Sequence, residues 1–326
     1  MHSSLINHFC LKYLFYMKLT LRFYFFIILL MPFLLIETSC SISIFNYIKS
    51  QKVVSDSFGI AETSYEILSD NPCENKLLLS VNIESQNLVT QIDNSLEGFS
   101  LLQPQHMIDS NKYVYLSYNV DLPVYKDGSI FRLPYFIKED FVFDKIYFNY
   151  LLFIPIENKY YCQAIDFVIG QNVLAHINYF IDNNNHKFWL SNSDSLIFSH
   201  IGDSIKNKMD LKPKITLDSI QKSFPVFIDF GLDASLMVSQ KIKTQLEKKG
   251  FVFTPQKIVA NSFITQDTLV VYTSILPSFE FAGKKFENIP LVFNETINQN
   301  RLGWGLLKNY NIVYLFEKEQ WLFYPL

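Results

Sequence analysis

The sequence predicts a mostly-β fold of two duplicated lobes with a cleft between them, preceded by an N-terminal signal or anchor segment. Three observations lead there. Aromatic and β-branched residues gather in short runs, the chain repeats itself, and its first 40 residues differ in character from the rest.

The chain has 326 residues, with 31 Phe and 19 Tyr against only 10 Gly. Runs such as Lys112-Tyr113-Val114-Tyr115-Leu116 and Tyr150-Leu151-Leu152-Phe153-Ile154 suit pleated, half-buried strands better than helices. The length is enough for one large domain or two medium ones. A net charge of −3 without extended charge runs gives no basis for nucleic acid as a partner.

Lys18 and Arg22 precede an uncharged run, Phe23 to Ile36, that ends near Thr38-Ser39-Cys40. A basic start, an apolar middle and a small-residue exit predict export. The run is shorter than the roughly 20 residues of a comfortable membrane span. Met1 and Met17 are both candidate starts. Cys40 stands where a bacterial lipoprotein signal carries its lipidated cysteine, so a membrane-anchored envelope protein is expected; Glu37, three residues earlier, is unusual for that signal. An ordinary cleaved signal or an uncleaved anchor, with Cys40 incidental, is the alternative. Of the other cysteines, Cys10 precedes the mature chain. Cys73 and Cys162 either pair, as an oxidising compartment permits, or stay as buried thiols. No cysteine pair has metal-ligand spacing.

The repeat is carried by two motifs. Asp93-Asn94-Ser95-Leu96-Glu97-Gly98 aligns with Asp229-Phe230-Gly231-Leu232-Asp233-Ala234, and Leu101-Leu102 with Met237-Val238. Just upstream, Ile83-Glu84-Ser85 is echoed by Leu217-Asp218-Ser219. The second motif aligns Ile169-Gly170 through Asn178 with Leu302-Gly303 through Asn311, each running on into a strand-like tail, Lys187–Leu190 and Gln320–Tyr324. From Asp93 to Gly170 is 77 positions and from Asp229 to Gly303 is 74. Two motifs in the same order at nearly equal separation mark a duplicated lobe, not a solenoid, whose repeats run about 20–50 residues. Polar residues 191–195 and 203–213 read as a turn-rich connection. The expected division is 1–40 signal, 41–205 first lobe and 206–326 second lobe.

An apolar strand entering Asp, two further residues and another apolar strand resemble the Asp-Thr/Ser-Gly motif of the pepsin- and retropepsin-like aspartic proteases. The Gly170 and Gly303 motifs resemble the segment that runs beneath the catalytic loop of that family. The resemblance spans most of residues 77–326 and is clearest from Phe224 onward. It implies that Asp93 and Asp229 face each other across a pseudo-dyad and share a proton and a water. Like charges so close cannot both ionise, so one acid and one base coexist to activate that water and protonate the scissile carbonyl. They titrate as a pair, so neither role is assigned to either residue. A peptide or protein would occupy the cleft as substrate or ligand, with no cofactor or metal. The resemblance also places a flap hairpin at Asn119–Arg132, with Asp127-Gly128 as its turn and Tyr118 or Tyr125 as its tyrosine, and a counterpart at Ser262–Asp267.

The motifs depart from the family in three places. Asn94 and Phe230 stand where a Thr or Ser hydroxyl ties the two loops together, and Ser95 stands where Gly allows a tight turn; Gly231 keeps that glycine. The six histidines form no His-Glu-x-x-His pattern, no Gly-x-Ser-x-Gly elbow appears, and Gly303-Trp304-Gly305 lacks the Lys-Ser/Thr ending of a phosphate loop. Two functions stay open: an exported aspartic endopeptidase, or a non-catalytic relative whose cleft binds peptide or shapes an anchored surface protein. Both retained carboxylates favour the first. Asn94, Ser95 and Phe230 favour the second, because a misplacement of about 1 Å can cost roughly a hundredfold in rate.

Overall fold

The computed structural model describes residues 61–326 except 69–72, 74–75, 84–85, 97–98, 108–112, 124–129, 144–145, 160, 202–207, 211–212 and 262–265. Cys40 with the whole signal segment, the lobe boundary at 205/206, Tyr125 and the Asp127-Gly128 turn lie outside the described residues.

Strands dominate, as the aromatic and β-branched runs predict. The first half opens with β1 (Glu62–Ile67), the hairpin of β2 (Leu78–Ile83) and β3 (Gln86–Ile92), and short β4 (Ser100–Leu102). An antiparallel run follows: β5 (Tyr113–Pro123), β6 (Ile130–Phe143) and β7 (Ile146–Pro155). Then β8 (Phe167–Ile169), one turn of helix α1 (Gln171–Leu174) and the hairpin of β9 (Asn178–Asp182) and β10 (Lys187–Ser191) close the half.

Helix α2 (Asp194–Ile201) and β11 (Lys208–Asp210) lead into the second half. The hairpin of β12 (Lys214–Leu217) and β13 (Lys222–Pro225) answers β2 and β3, and β14 (Phe227–Asp229) continues past Pro225 to the second aspartate. After β15 (Leu236–Met237) and helix α3 (Gln240–Glu247) comes a second antiparallel run, β16 (Thr254–Asn261), β17 (Gln266–Phe281) and β18 (Lys284–Phe293). The half closes with β19 (Arg301–Gly303), helix α4 (Trp304–Leu307) and the hairpin of β20 (Tyr310–Leu315) and β21 (Gln320–Pro325).

The duplication extends to the register. β3 runs parallel to β8 and β14 parallel to β19. β4 lies antiparallel to β8 with Leu101 opposite Val168, and β15 antiparallel to β19 with Met237 opposite Arg301. Parallel pairs β4–β7 and β15–β18 complete the match, Ser100 facing Phe153 and Leu236 facing Leu291.

The halves are joined by a shared sheet. In the order β11-β21-β20-β9-β10-β1, three strands come from each half and the seam is β20 against β9, with Val313 opposite Phe180. The core runs through that seam: Tyr179, Phe188, Tyr314, Trp321 and Phe323 are buried in one apolar cluster with Phe230 and Trp304.

The connection differs from the expected run of turns, because Asp194–Ile201 is helical and β11 pairs with β21. Ser195, Ser199 and His200 are exposed, whereas Ile197 is fully buried against Phe180, Val313 and Leu315. The polar residues mark the outer face of a docked helix, which Ile197 and the half-buried Phe198 anchor. Of the two readings of Cys73 and Cys162, the structure has the disulfide, with Cα atoms 5.8 Å apart.

Candidate functional site

Each aspartate sits in a loop held from below by the Gly170 or Gly303 segment, and the two halves do this in the same way. Asp93 N donates to Ile169 O at 3.0 Å, following the parallel pairing that places Asp229 beside Gly303. Gln171 N donates to Leu96 O at 2.8 Å, and Trp304 N to Leu232 O at 2.8 Å. The backbone amide two residues on returns to each aspartate: Ser95 N to Asp93 Oδ1 at 3.0 Å, and Gly231 N to Asp229 Oδ1 at 3.0 Å. Gly170 and Gly303 take nearly equal dihedrals, φ −96° and −100°. A Cβ on Gly170 would come within 3.0 Å of Leu96 O, and one on Gly303 within 2.5 Å of Leu232 O. Both glycines are there for close approach to the aspartate loop.

The loops meet at Gly231. Its amide holds Asp229, while a Cβ added to it would run into the Asp93 carboxylate. The glycine is required by a side chain of the opposite half, and its own turn needs no positive φ. Ser95 likewise has no positive φ, so its side chain does not crowd the turn as expected. Its hydroxyl donates to Asp93 Oδ1 at 2.6 Å, adding to the bond from its amide.

Asn94 and Phe230 part company. Asn94 reaches across: its Nδ2 donates to Ile228 O at 2.8 Å, and its Oδ1 accepts from Phe230 N at 2.9 Å. An amide carries both a donor and an acceptor, so one Asn brackets Asp229 from both sides. Phe230 makes no return bond. Fully buried, it meets Tyr179, Trp304 and Trp321 edge-on, with centroids 6.3, 5.9 and 6.1 Å away. The hydroxyl tie is thus kept in one direction and replaced by aromatic packing in the other.

Two cations at the site were not among the residues inferred from sequence. Arg301 Nη1 donates to Asp229 Oδ2 at 2.7 Å, and its Nη2 to Gln299 Oε1 at 2.9 Å. The signal was in the repeat: Arg301 stands where the first half has the buried Val168, a cation in place of an apolar strand residue. Lys76, 8% exposed, donates from Nζ to Gly231 O at 3.0 Å and pairs with Asp233 Oδ1 at 2.5 Å. A lone Lys before a run of leucines carries no comparable signal.

The electrostatics are uneven. Removal from water and then the charge of Asp229 push the Asp93 carboxyl up to about 6, while its bonds to Ser95 and the charge of Lys76 pull the other way. Asp229, nearly buried, has a guanidinium as its partner. A cavity of about 160 Å³ opens beside it, between the loop and the shared sheet, lined by Asn94, Asp229, Arg301, Tyr179, Tyr314 and Trp321 among others. Among the described residues no group of three His, Cys, Asp or Glu side chains could hold a metal ion. The antiparallel pairs β5–β6 and β16–β17 occupy equivalent places in the two halves; residues 124–129 and 262–265, between their strands, lie outside the described residues.

No family model matches the chain, and no curated protein does. Among solved structures it is similar to basic 7S globulin from soybean, at 10% identity and TM-score 0.47 over 81% of this chain and 94% of that one. It is also similar to an aspartic proteinase from Irpex lacteus, at 10% identity and TM-score 0.49 over 81% and 97%.

Proposed function

We propose that this chain is an exported, envelope-anchored protein of aspartic-protease type whose paired carboxylates no longer work as a proteolytic dyad, and whose inter-lobe cleft binds peptide. The observation that carries this reading is the Arg301–Asp229 ion pair. A water-activating dyad needs two carboxylates that share one proton, so that one accepts as the other donates. Here a fixed guanidinium engages one oxygen of Asp229, while burial and the charge of Asp229 raise the proton affinity of Asp93. The two carboxyls stand in unlike surroundings, whereas a proton-sharing pair needs matched ones.

The retained carboxylates support the active reading, in which a substrate draws Arg301 away and frees Asp229. One experiment separates the two: a peptide library is incubated across acid and neutral pH with wild type, Arg301→Met, and an Asp93→Asn, Asp229→Asn control. The expected result is no wild-type cleavage above the control, with peptide binding retained. Robust wild-type cleavage that disappears in the control installs the peptidase reading instead. Anchoring is tested separately by Cys40→Ser, which should move the protein out of the membrane fraction because acyl chains supply the attachment. Unchanged fractionation and lipid labelling would remove the lipid anchor and leave export standing.

A further inference from the structure

We infer that Lys76 is a positioning residue of the paired-carboxylate site, holding the Asp229 loop from the opposite half in place of the hydroxyl tie that Phe230 lacks, and setting the charge balance that Asp93 faces. This rests on taking Asp93 and Asp229 as one site, not on whether that site cuts peptides.

The ammonium donates to Gly231 O at 3.0 Å and to Asp233 Oδ1 at 2.5 Å, and lies over the Tyr161 ring, 5.0 Å from its centroid. Gly231 and Asp233 stand two and four positions after Asp229, so both bonds pin the second loop. Asn94 pins the residues on either side of Asp229, Ile228 and Phe230. Both straps start in the first half and close on the second.

The seat of Lys76 is built. The Cys73–Cys162 disulfide fixes the segment three residues before it to the loop that carries Tyr161. Burial, the largest influence, lowers the Lys76 pKa, yet Tyr161 and Asp233 outweigh it and the pKa ends raised. The cation is therefore permanent across physiological pH.

Around Gly231 the charged groups are Asp93, Asp229, Asp233, Lys76 and Arg301. Two ion pairs, Lys76–Asp233 and Arg301–Asp229, cancel. Asp93 is the odd carboxyl, and the site is neutral only while Asp93 keeps its proton. Losing Lys76 would leave Asp93 facing one more uncompensated negative charge, which disfavours its ionised form further.

The test follows the Asp93 carboxyl carbon and the Lys76 Cε by NMR in the full chain, with Asp93→Asn for assignment. In wild type the Lys76 Cε should shift with the midpoint of the Asp93 titration. Lys76→Met should raise that midpoint by about one unit, and Lys76→Arg should restore it to within about half a unit. Amide exchange at Phe230 and Gly231 should quicken roughly tenfold in Lys76→Met, as expected for loss of a charge-assisted bond. A folded Lys76→Met protein with an unmoved Asp93 midpoint overturns the proposal, since a purely structural lysine would loosen the loop without shifting that titration. If Lys76→Met does not fold, the wild-type titration decides: a Lys76 Cε blind to the Asp93 midpoint also overturns it. These outcomes are independent of whether the peptide library is cleaved.

Discussion

Replacing Asp93 with Asn should stabilise the protein at neutral pH and remove a pH dependence that wild type carries. The magnitude follows from the site. The Asp93 carboxyl rises from an ordinary 3.8 to about 6, roughly two units at about 1.36 kcal/mol each, giving an upper limit near 3 kcal/mol. Asp93 is only half-buried, so screening reduces this to about 2 kcal/mol. The folded-state pKa is raised, so the contribution of protonated Asp93 is fully present below 3.8 and is lost as pH climbs through about 6. Asn mimics the protonated acid in shape and keeps an acceptor oxygen for the amide and hydroxyl of Ser95.

Wild type and Asp93→Asn should therefore be about equally stable at pH 4. At pH 7 the variant should lead by about 2 kcal/mol, or about 3 °C in Tm for a chain of this size. Denaturant unfolding of both proteins from pH 3.5 to 7.5 measures the difference, and titrations common to both cancel. A difference that stays flat with pH, or a variant less stable at pH 7, would refute the account of Asp93 as a carboxyl strained by burial and by Asp229. Gain of stability on neutralising one acid is the usual sign that a site keeps a group for function at the expense of stability.

Asn94→Ala should cost about 2–3 kcal/mol in chemical unfolding, because it orphans both the Phe230 amide and the Ile228 carbonyl. Phe230→Thr, which places a hydroxyl at 230, should lower stability by about 3–4 kcal/mol by emptying the space among Tyr179, Trp304 and Trp321, and should yield no peptidase activity while Arg301 is in place. Replacing Cys73 and Cys162 together by Ser should cost about 4 kcal/mol, since the bridge closes a loop with a sequence separation of 89. Equal unfolding midpoints for this double variant and oxidised wild type would show that the bridge adds nothing.

The duplicated architecture was legible because it rests on short-range patterns. Strand runs, an Asp entering a tight loop and a Gly in the supporting segment each leave a local trace, and two copies make the trace visible twice. The closing glycines were readable for the same reason: both are pressed against a carbonyl of their own half, a steric need that one residue type satisfies. Helix α2 was not legible, because it is short and its fixing contacts, Ile197 and Phe198 on the shared sheet and His200 on Trp189, join residues far apart in the chain. The roles of Asn94, Ser95 and Phe230 were legible only as departures. Asn94 finds its partners in the other half and Phe230 packs on the shared sheet, while Ser95 closes on Asp93 in its own loop; chain order does not say whether an Asn is an outward turn residue or a bracket around a distant aspartate.

The site is asymmetric although the lobes repeat. A duplicated dyad that serves catalysis needs matching loops, because both carboxylates must present the same face to one water. Here the central contacts divide unevenly between the halves. Asn94 and Lys76 extend from the first half and hold the second, Phe230 is buried in the core, and Arg301, from the second half itself, donates to Asp229 Oδ2. Asn94 supplies both cross-loop bonds, and the aromatic ring at 230 makes core contacts instead of a bond across the loops. Arg301 sets a cation against Asp229 Oδ2 where both carboxylates pack against Gly231. The arrangement is a coherent, well-bonded structure, unlike a catalytic loop merely worn away, and that coherence is what a retained binding role would preserve.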